Sequence, residues 1–200
     1  MGKSKRNSTK RYVQSGMLVL VILSVSCIDK TIEKENKDQQ SKKQVTAKDI
    51  LGNPDYLAIS YGGYREITRD SQPTVKDIKE DMRLLSAMGI KMLRTYNVQL
   101  PHAGYVLKAI QALKAEDPDF EMYVMLGAWI DCKNAWTDKE PDHTVESEQN
   151  EGEIARAVAM AKKYPNIIKV IAVGNEAMIN WATSYYVQPA VILKWVNHLL

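Results

Sequence analysis

Two cysteines, Cys27 and Cys132, are too few for the disulfide framework of a small secreted domain. No G-x-G-x-x-G or G-x-x-x-x-G-K-[ST] run follows a strand-like segment, and Gly62-Gly63 alone does not replace one, so phosphate cradles are missing. The three histidines, His102, His143 and His198, have no metal-ligand spacing with cysteine or with one another. Asp138, Glu140, Asp142, Glu146, Glu148 and Glu151 form an acidic stretch without a calcium-loop pattern, which reads as solvated surface. No cofactor and no metal is therefore expected.

Charge of one sign is lacking too. The formal net charge is +3, but five positives (Lys3, Lys5, Arg6, Lys10, Arg11) precede Cys27 with no acid among them, leaving −2 for the remainder. A slightly acidic body has no global attraction for nucleic acid. Phenylalanine occurs once, against ten tyrosines and four tryptophans. Those rings pair an apolar face with a polar handle, which suits stacking on sugars without proving it.

One long apolar run exists, Met17 to Val25, behind the basic start. It is too short to span a bilayer comfortably and has the length of a signal-peptide core, so residues 1–26 read as an export signal. Ser24-Val25-Ser26-Cys27 resembles a bacterial lipoprotein cleavage site, although Leu23 lies one place early. The expectation is a lipid on Cys27 and a protein exported to the cell envelope, anchored to a bacterial membrane. Ordinary cleavage near Ser26 and an uncleaved anchor are the alternatives. Residues 27–55, polar and mixed in charge up to position 43, read as a flexible tether.

Beyond this stretch apolar strands and amphipathic helices alternate. Strands are expected at 56–61, 90–96, 120–130 and 167–173. Helices are expected at 74–88, 101–115, 151–164 and from 189 onward. Thr74-Val-Lys-Asp77 offers a capping box, and Gly89 a helix stop. Val106, Ile110 and Leu113 should face inward on the second helix, and Ile154, Ala155, Val158 and Ala161 on the third. Residues 131–150 read as a long polar loop.

Four βα units in a row with apolar strands predict an α/β fold built on a parallel sheet covered on both faces. An open doubly wound sheet and a TIM-type (β/α)8 barrel both fit that pattern. The strand ends favour the barrel, because aromatic or polar groups follow each strand: Tyr61, Tyr96-Asn97, Trp129-Ile130-Asp131 and Asn175-Glu176. Such a barrel typically takes about 250 residues. Residues 56–200 would supply its N-terminal half.

Four strand-end stretches carry a resemblance. Ile59-Ser60-Tyr61-Gly62, Met92-Leu93-Arg94-Thr95-Tyr96, Val124-Met125-Leu126-Gly127 and Val173-Gly174-Asn175-Glu176, in that order, resemble glycoside hydrolase family 17. That family comprises retaining β-1,3-glucanases and glucanosyltransferases. The resemblance implies that Glu176 is the general acid/base and that Asn175 contacts the hydroxyl beside the reacting carbon. It implies that Arg94 steadies the nucleophile and that Tyr61, Tyr96 and Trp129 line substrate subsites. Apart from the resemblance, Asp131 and Asn134 are weaker candidates for substrate contact, from their place in the loop after the third strand. The family nucleophile, a second glutamate on a later strand, falls outside these 200 residues.

Read singly, these residues have plainer roles. Glu176 could be a first-turn helix acid, Asn175 a helix cap, Arg94 a structural ion pair, and the three rings packing groups. The expected partner is a β-glucan polysaccharide or oligosaccharide. The expected activity is hydrolysis of O-glycosyl bonds, or glucosyl transfer. A non-catalytic glucan-binding lipoprotein and an inactive truncated fragment are the alternatives.

Overall fold

A computed structural model describes residues 44–199. The expected signal segment, Cys27 with its expected lipid, and most of the expected tether lie outside the described residues. The folded unit begins at Val45, ten residues before the expected end of the tether. Thr46 and Asp49 form a capping box around a one-turn helix, α1 (Ala47–Ile50). Ile50 is buried against Met92 and Tyr123, and a buried isoleucine is not linker behaviour.

Four parallel strands follow: β1 (Leu57–Ser60), β2 (Ile90–Arg94), β3 (Tyr123–Ala128) and β6 (Ile168–Val173). They lie in the order β1-β2-β3-β6, each beside its predecessor. A doubly wound sheet reverses its order at a switch point; this one does not, so the sheet is consistent with part of a TIM-like fold. Helices α2 (Val75–Ala87), α3 (His102–Glu116) and α4 (Gln149–Lys163) fill the crossovers, and α5 (Pro189–Leu199) follows β6.

Local chemistry sets these boundaries. Thr74 Oγ1 accepts from the Asp77 backbone N–H while the Asp77 carboxylate accepts from Thr74 N–H, closing the expected capping box on α2. Gly89, with φ +83°, turns the chain directly into β2. The buried face of α3 carries Val106, Leu107, Ile110 and Leu113, packed with Ile78 and Met82 of α2 and with Leu93, Val124 and Leu126 of the sheet. Burial of each such side chain stabilises by roughly 1.5–3 kcal/mol.

Three expectations change. In α4, Ala155 is exposed, and the buried positions are Asn150, Glu153, Ile154 and Ala157. A buried glutamate disguised that face. Strand β1, one of the sheet's two edge strands in the described residues, is exposed throughout, with Leu57 at 51% and Ile59 at 40%. The long polar loop contains an antiparallel hairpin, β4 (Cys132–Lys133) with β5 (Asp142–Glu146). Neither short strand has apolar alternation, so no periodic signal announced it.

The strand ends lie along one edge of the sheet. Tyr61 N–H donates to Arg94 O at 3.0 Å, Thr95 N–H to Met125 O at 3.1 Å, and Gly174 N–H to Ala128 O at 2.8 Å. These bonds tie the segments carrying Tyr61, Arg94, Trp129 and Asn175 to one another. Among the described residues no helix is long and apolar enough to cross a membrane.

Candidate active site

Arg94 closes β2, and Asn175 lies two residues past β6. Arg94 Nη2 donates to Asn175 Oδ1 at 2.7 Å, and Asn175 is 5% exposed. With its carbonyl oxygen engaged, Asn175 has its Nδ2 hydrogens to offer a substrate oxygen. The Arg94 guanidinium also sits 5.7 Å from the Tyr96 ring centroid, so the end of β2 and the segment just after it supply a cation and the aromatic face beside it. This brings Arg94, Tyr96 and Asn175 together across two elements 81 residues apart.

Glu176 follows Asn175 directly and is exposed. Its φ is +55°, after Gly174 at +83°. A glutamate in the left-handed region is uncommon, and such strain concentrates at functional sites. A Cβ on Gly174 would lie 3.2 Å from both Ala177 Cβ and Ile192 Cδ1, so the turn favours glycine for space as well as for φ. Helix α5 starts only at Pro189. Asn175 therefore caps no helix, and Glu176 is no first-turn acid.

Tyr61 is placed differently from the expectation of an open platform. It is 8% exposed, and its hydroxyl donates to Asp81 Oδ2 at 2.6 Å. Arg65 forks the same carboxylate at 2.8 and 2.9 Å. Burial, and then Asp81, push the Tyr61 hydroxyl far above its ordinary pKa. Its ring lies 5.6 Å from that of His102. Tyr61 belongs to the packing behind the strand ends.

Trp129 lies in a cleft of about 460 Å³ at the end of β3, together with Asn97, Gln99, Asp131, Trp136 and Tyr185. One carboxylate oxygen of Asp131 accepts from Trp129 Nε1 at 2.7 Å and from Trp136 Nε1 at 3.0 Å. Burial raises the Asp131 pKa, opposed by these two indole bonds; the Glu153 charge adds to the rise. Asn134, a weaker candidate, bonds the Glu140 backbone oxygen within the hairpin loop.

Sequence reasoning missed the residues that hold this cleft in place. Glu153, 3% exposed on α4, accepts through Oε1 from Val98 N–H at 2.7 Å and Trp129 N–H at 3.1 Å. Arg156 pairs with its other oxygen at 2.9 Å. Asn150, one turn earlier, is 1% exposed and bonds the Asp131 backbone. The available signal was two polar residues three apart on the inner face of α4. Cys132 is a buried free thiol whose pKa is raised, chiefly by burial.

A parallel α/β sheet presenting an arginine, a tyrosine, an amide, a carboxylate and a tryptophan at its carboxyl edge has the layout of a strand-end ligand or enzyme site. The comparisons narrow that class. No protein-family model matches the chain, and no curated protein matches it. The chain is similar to the crystal structure of an endo-laminarinase from Formosa Hel1_33_131, at 68% sequence identity and a TM-score of 0.76. The match covers 78% of this chain and 39% of that one, so this chain spans well under half the length of that protein.

Proposed function

We propose that the protein acts on β-1,3-glucan, hydrolysing its O-glycosyl bonds with retention of configuration, as the resemblance to glycoside hydrolase family 17 implies. The carrying observation is the Arg94–Asn175 bond next to Glu176 at the strand edge. The similarity to an endo-laminarinase supports the substrate, because laminarin is a β-1,3-glucan.

In this reading Glu176 protonates the leaving glycosidic oxygen and later deprotonates water. Asn175 donates from Nδ2 to the hydroxyl beside the anomeric carbon. Arg94 holds Asn175 and offers positive charge to the partner carboxylate. A retaining pair needs its two carboxyl groups about 5 Å apart. The reading assigns the second carboxylate to a later strand of a closed (β/α)8 barrel. It also includes export and a lipid on Cys27, supported by the basic and apolar run before that residue. Loss of metabolic palmitate labelling on Cys27→Ala tests the anchor; unchanged labelling rules it out.

Laminarin hydrolysis by wild type and Glu176→Gln tests the chemistry. The expected loss is about 10²–10⁴-fold in kcat, the usual scale for a general acid/base. Equal, non-zero rates would remove Glu176 from the mechanism. Laminarin binding without turnover by wild type would favour a glucan-binding protein, a second reading that the aromatic cleft supports.

A further inference from the structure

We infer that His143 is a positioning residue for Glu176: acting through Tyr186 and Val187, it fixes the loop on which that carboxylate stands. This inference rests on the acid/base reading of Glu176 above. Glu176 needs support from outside its own turn. It is exposed, its φ is +55°, and the next helix begins only at Pro189. A left-handed non-glycine residue persists where the surrounding structure over-determines it.

The loop after Glu176 is held mostly by its own turns. Ile179 N–H donates to Glu176 O at 3.1 Å, Ala182 N–H to Ile179 O at 3.1 Å, and Tyr185 N–H to Ala182 O at 2.8 Å. The base closes where Val187 N–H donates to Ala177 O at 2.8 Å, between two buried residues. Ala177 directly follows Glu176. The placement of Val187 therefore sets the path of the chain one residue beyond the carboxylate.

His143 brackets Val187. Its Nδ1 lies 2.8 Å from Tyr186 O, and its backbone oxygen accepts from Gln188 N–H at 3.0 Å. A carbonyl oxygen only accepts, so Nδ1 carries the hydrogen in this bond. Among the described residues, the Tyr186 bond is the hydrogen bond that ties residues 177–187 to a strand. The strand is itself anchored. His143 lies on β5, which pairs with β4, and β4 starts at Cys132 in the hydrophobic core. Cys132 Sγ lies 3.5 Å from His143 Nδ1, and the imidazole packs edge-on against Tyr186 with centroids 5.2 Å apart. A second tie between hairpin and α5, Lys194 to Glu146 at 2.6 Å, lies at the surface, where an ion pair contributes little.

Laminarin hydrolysis by the full-length protein and its variants tests this. His143→Ala should lower kcat by about tenfold or more, since a small displacement of a catalytic group costs up to about 100-fold. KM should stay within about threefold, because Arg94 and Asn175 keep their bond to each other. His143→Asn, whose Nδ2 can donate from the place of Nδ1, should recover kcat to within about threefold of wild type. His143→Gln carries its amide farther out, near the place of Nε2, and should fall with His143→Ala. It decides the matter if His143→Ala does not fold. Lys194→Ala loosens the same hairpin at the surface and should keep the wild-type kcat. A folded His143→Ala or His143→Gln with wild-type kcat, a loss confined to KM, or no recovery in His143→Asn overturns the positioning role and leaves Glu176 standing. A wild type that does not hydrolyse laminarin overturns the positioning role together with the β-glucan reading.

Discussion

Asn150 clasps the backbone of Asp131 from both sides. Its Oδ1 accepts from Asp131 N–H and its Nδ2 donates to Asp131 O, each at 2.9 Å. The first turn of α4 thereby fixes the residue whose carboxylate holds two indoles. Glu153, one turn on, grips Trp129 and Val98. The loops after β2 and β3 are set by a helix that supplies none of the cleft's aromatic groups.

Removing that clasp should cost stability and binding together. Asn150→Ala leaves the Asp131 N–H without a partner, at roughly 1–3 kcal/mol for a buried group left unpaired, while Asp131 O keeps the Ser147 N–H at 3.0 Å. Asn150→Asp keeps the acceptor but turns an oxygen toward Asp131 O. Its penalty should shrink as the pH falls and the new carboxyl protonates. Urea melts of the three proteins at neutral and acid pH measure this. An unchanged midpoint for Asn150→Ala would show that the clasp carries no free energy.

His102 gives the fold a defined acid sensitivity. It is the first residue of α3, 5% exposed, and stacked 5.4 Å from the Tyr64 ring at an interplanar angle of 22°. Its Nε2 has no hydrogen-bond partner. Burial lowers its pKa below the ordinary 6.5, and a backbone bond to Gly62 opposes that only in part. The positive end of α3 also disfavours a cation there. A histidine kept neutral in the fold binds its proton more readily when unfolded. Stability is therefore fully present above about pH 6.5 and falls as the pH drops toward the depressed native value, by at most about 1.4 kcal/mol per pH unit. His102→Phe keeps a flat ring and cannot titrate. Its urea midpoint between pH 7 and 5 should fall less steeply than that of wild type. Parallel slopes would place the acid sensitivity elsewhere.

What was legible in the sequence followed from periodicity and punctuation. Thr74 with Asp77 marked the start of α2, and Val106, Ile110 and Leu113 marked the inner face of α3, because helical spacing writes burial directly into the chain. The strand ends were legible for the same reason: Arg94 and Asn175 each stand just where an apolar run stops. Their hydrogen bond was not, since nothing local specifies a contact across 81 residues. The buried polar scaffold was hidden more thoroughly. Asn150 and Glu153 look like surface residues until the backbone groups they satisfy are placed beside them. Trp136 sat in a stretch of polar loop whose hairpin has too few residues to show alternation, and Tyr185 joined it from a segment without periodic pattern.

Gly127 tests whether strand spacing controls the site. A Cβ at this position would lie 2.4 Å from Thr95 O and 2.6 Å from the Tyr96 carbonyl carbon, and Gly127 N–H donates to Thr95 Oγ1 at 3.1 Å. These are backbone contacts, so no side chain can swing aside. Gly127→Ala must push β2 away from β3 at the point where Arg94 and Tyr96 leave the sheet. The expected cost is about 1–3 kcal/mol, typical of an overpacked core. Laminarin affinity should weaken as well, because Tyr96 moves with its backbone. Gly52→Ala is the contrast: its φ of +77° is strained for alanine, but nothing lies within 4 Å of the added carbon. That variant should lose about 1–2 kcal/mol from the left-handed backbone alone and bind laminarin normally. Calorimetric melts and binding titrations of both variants separate the two effects. If Gly127→Ala binds as well as Gly52→Ala, the close approach of β2 and β3 serves packing alone and does not position Tyr96.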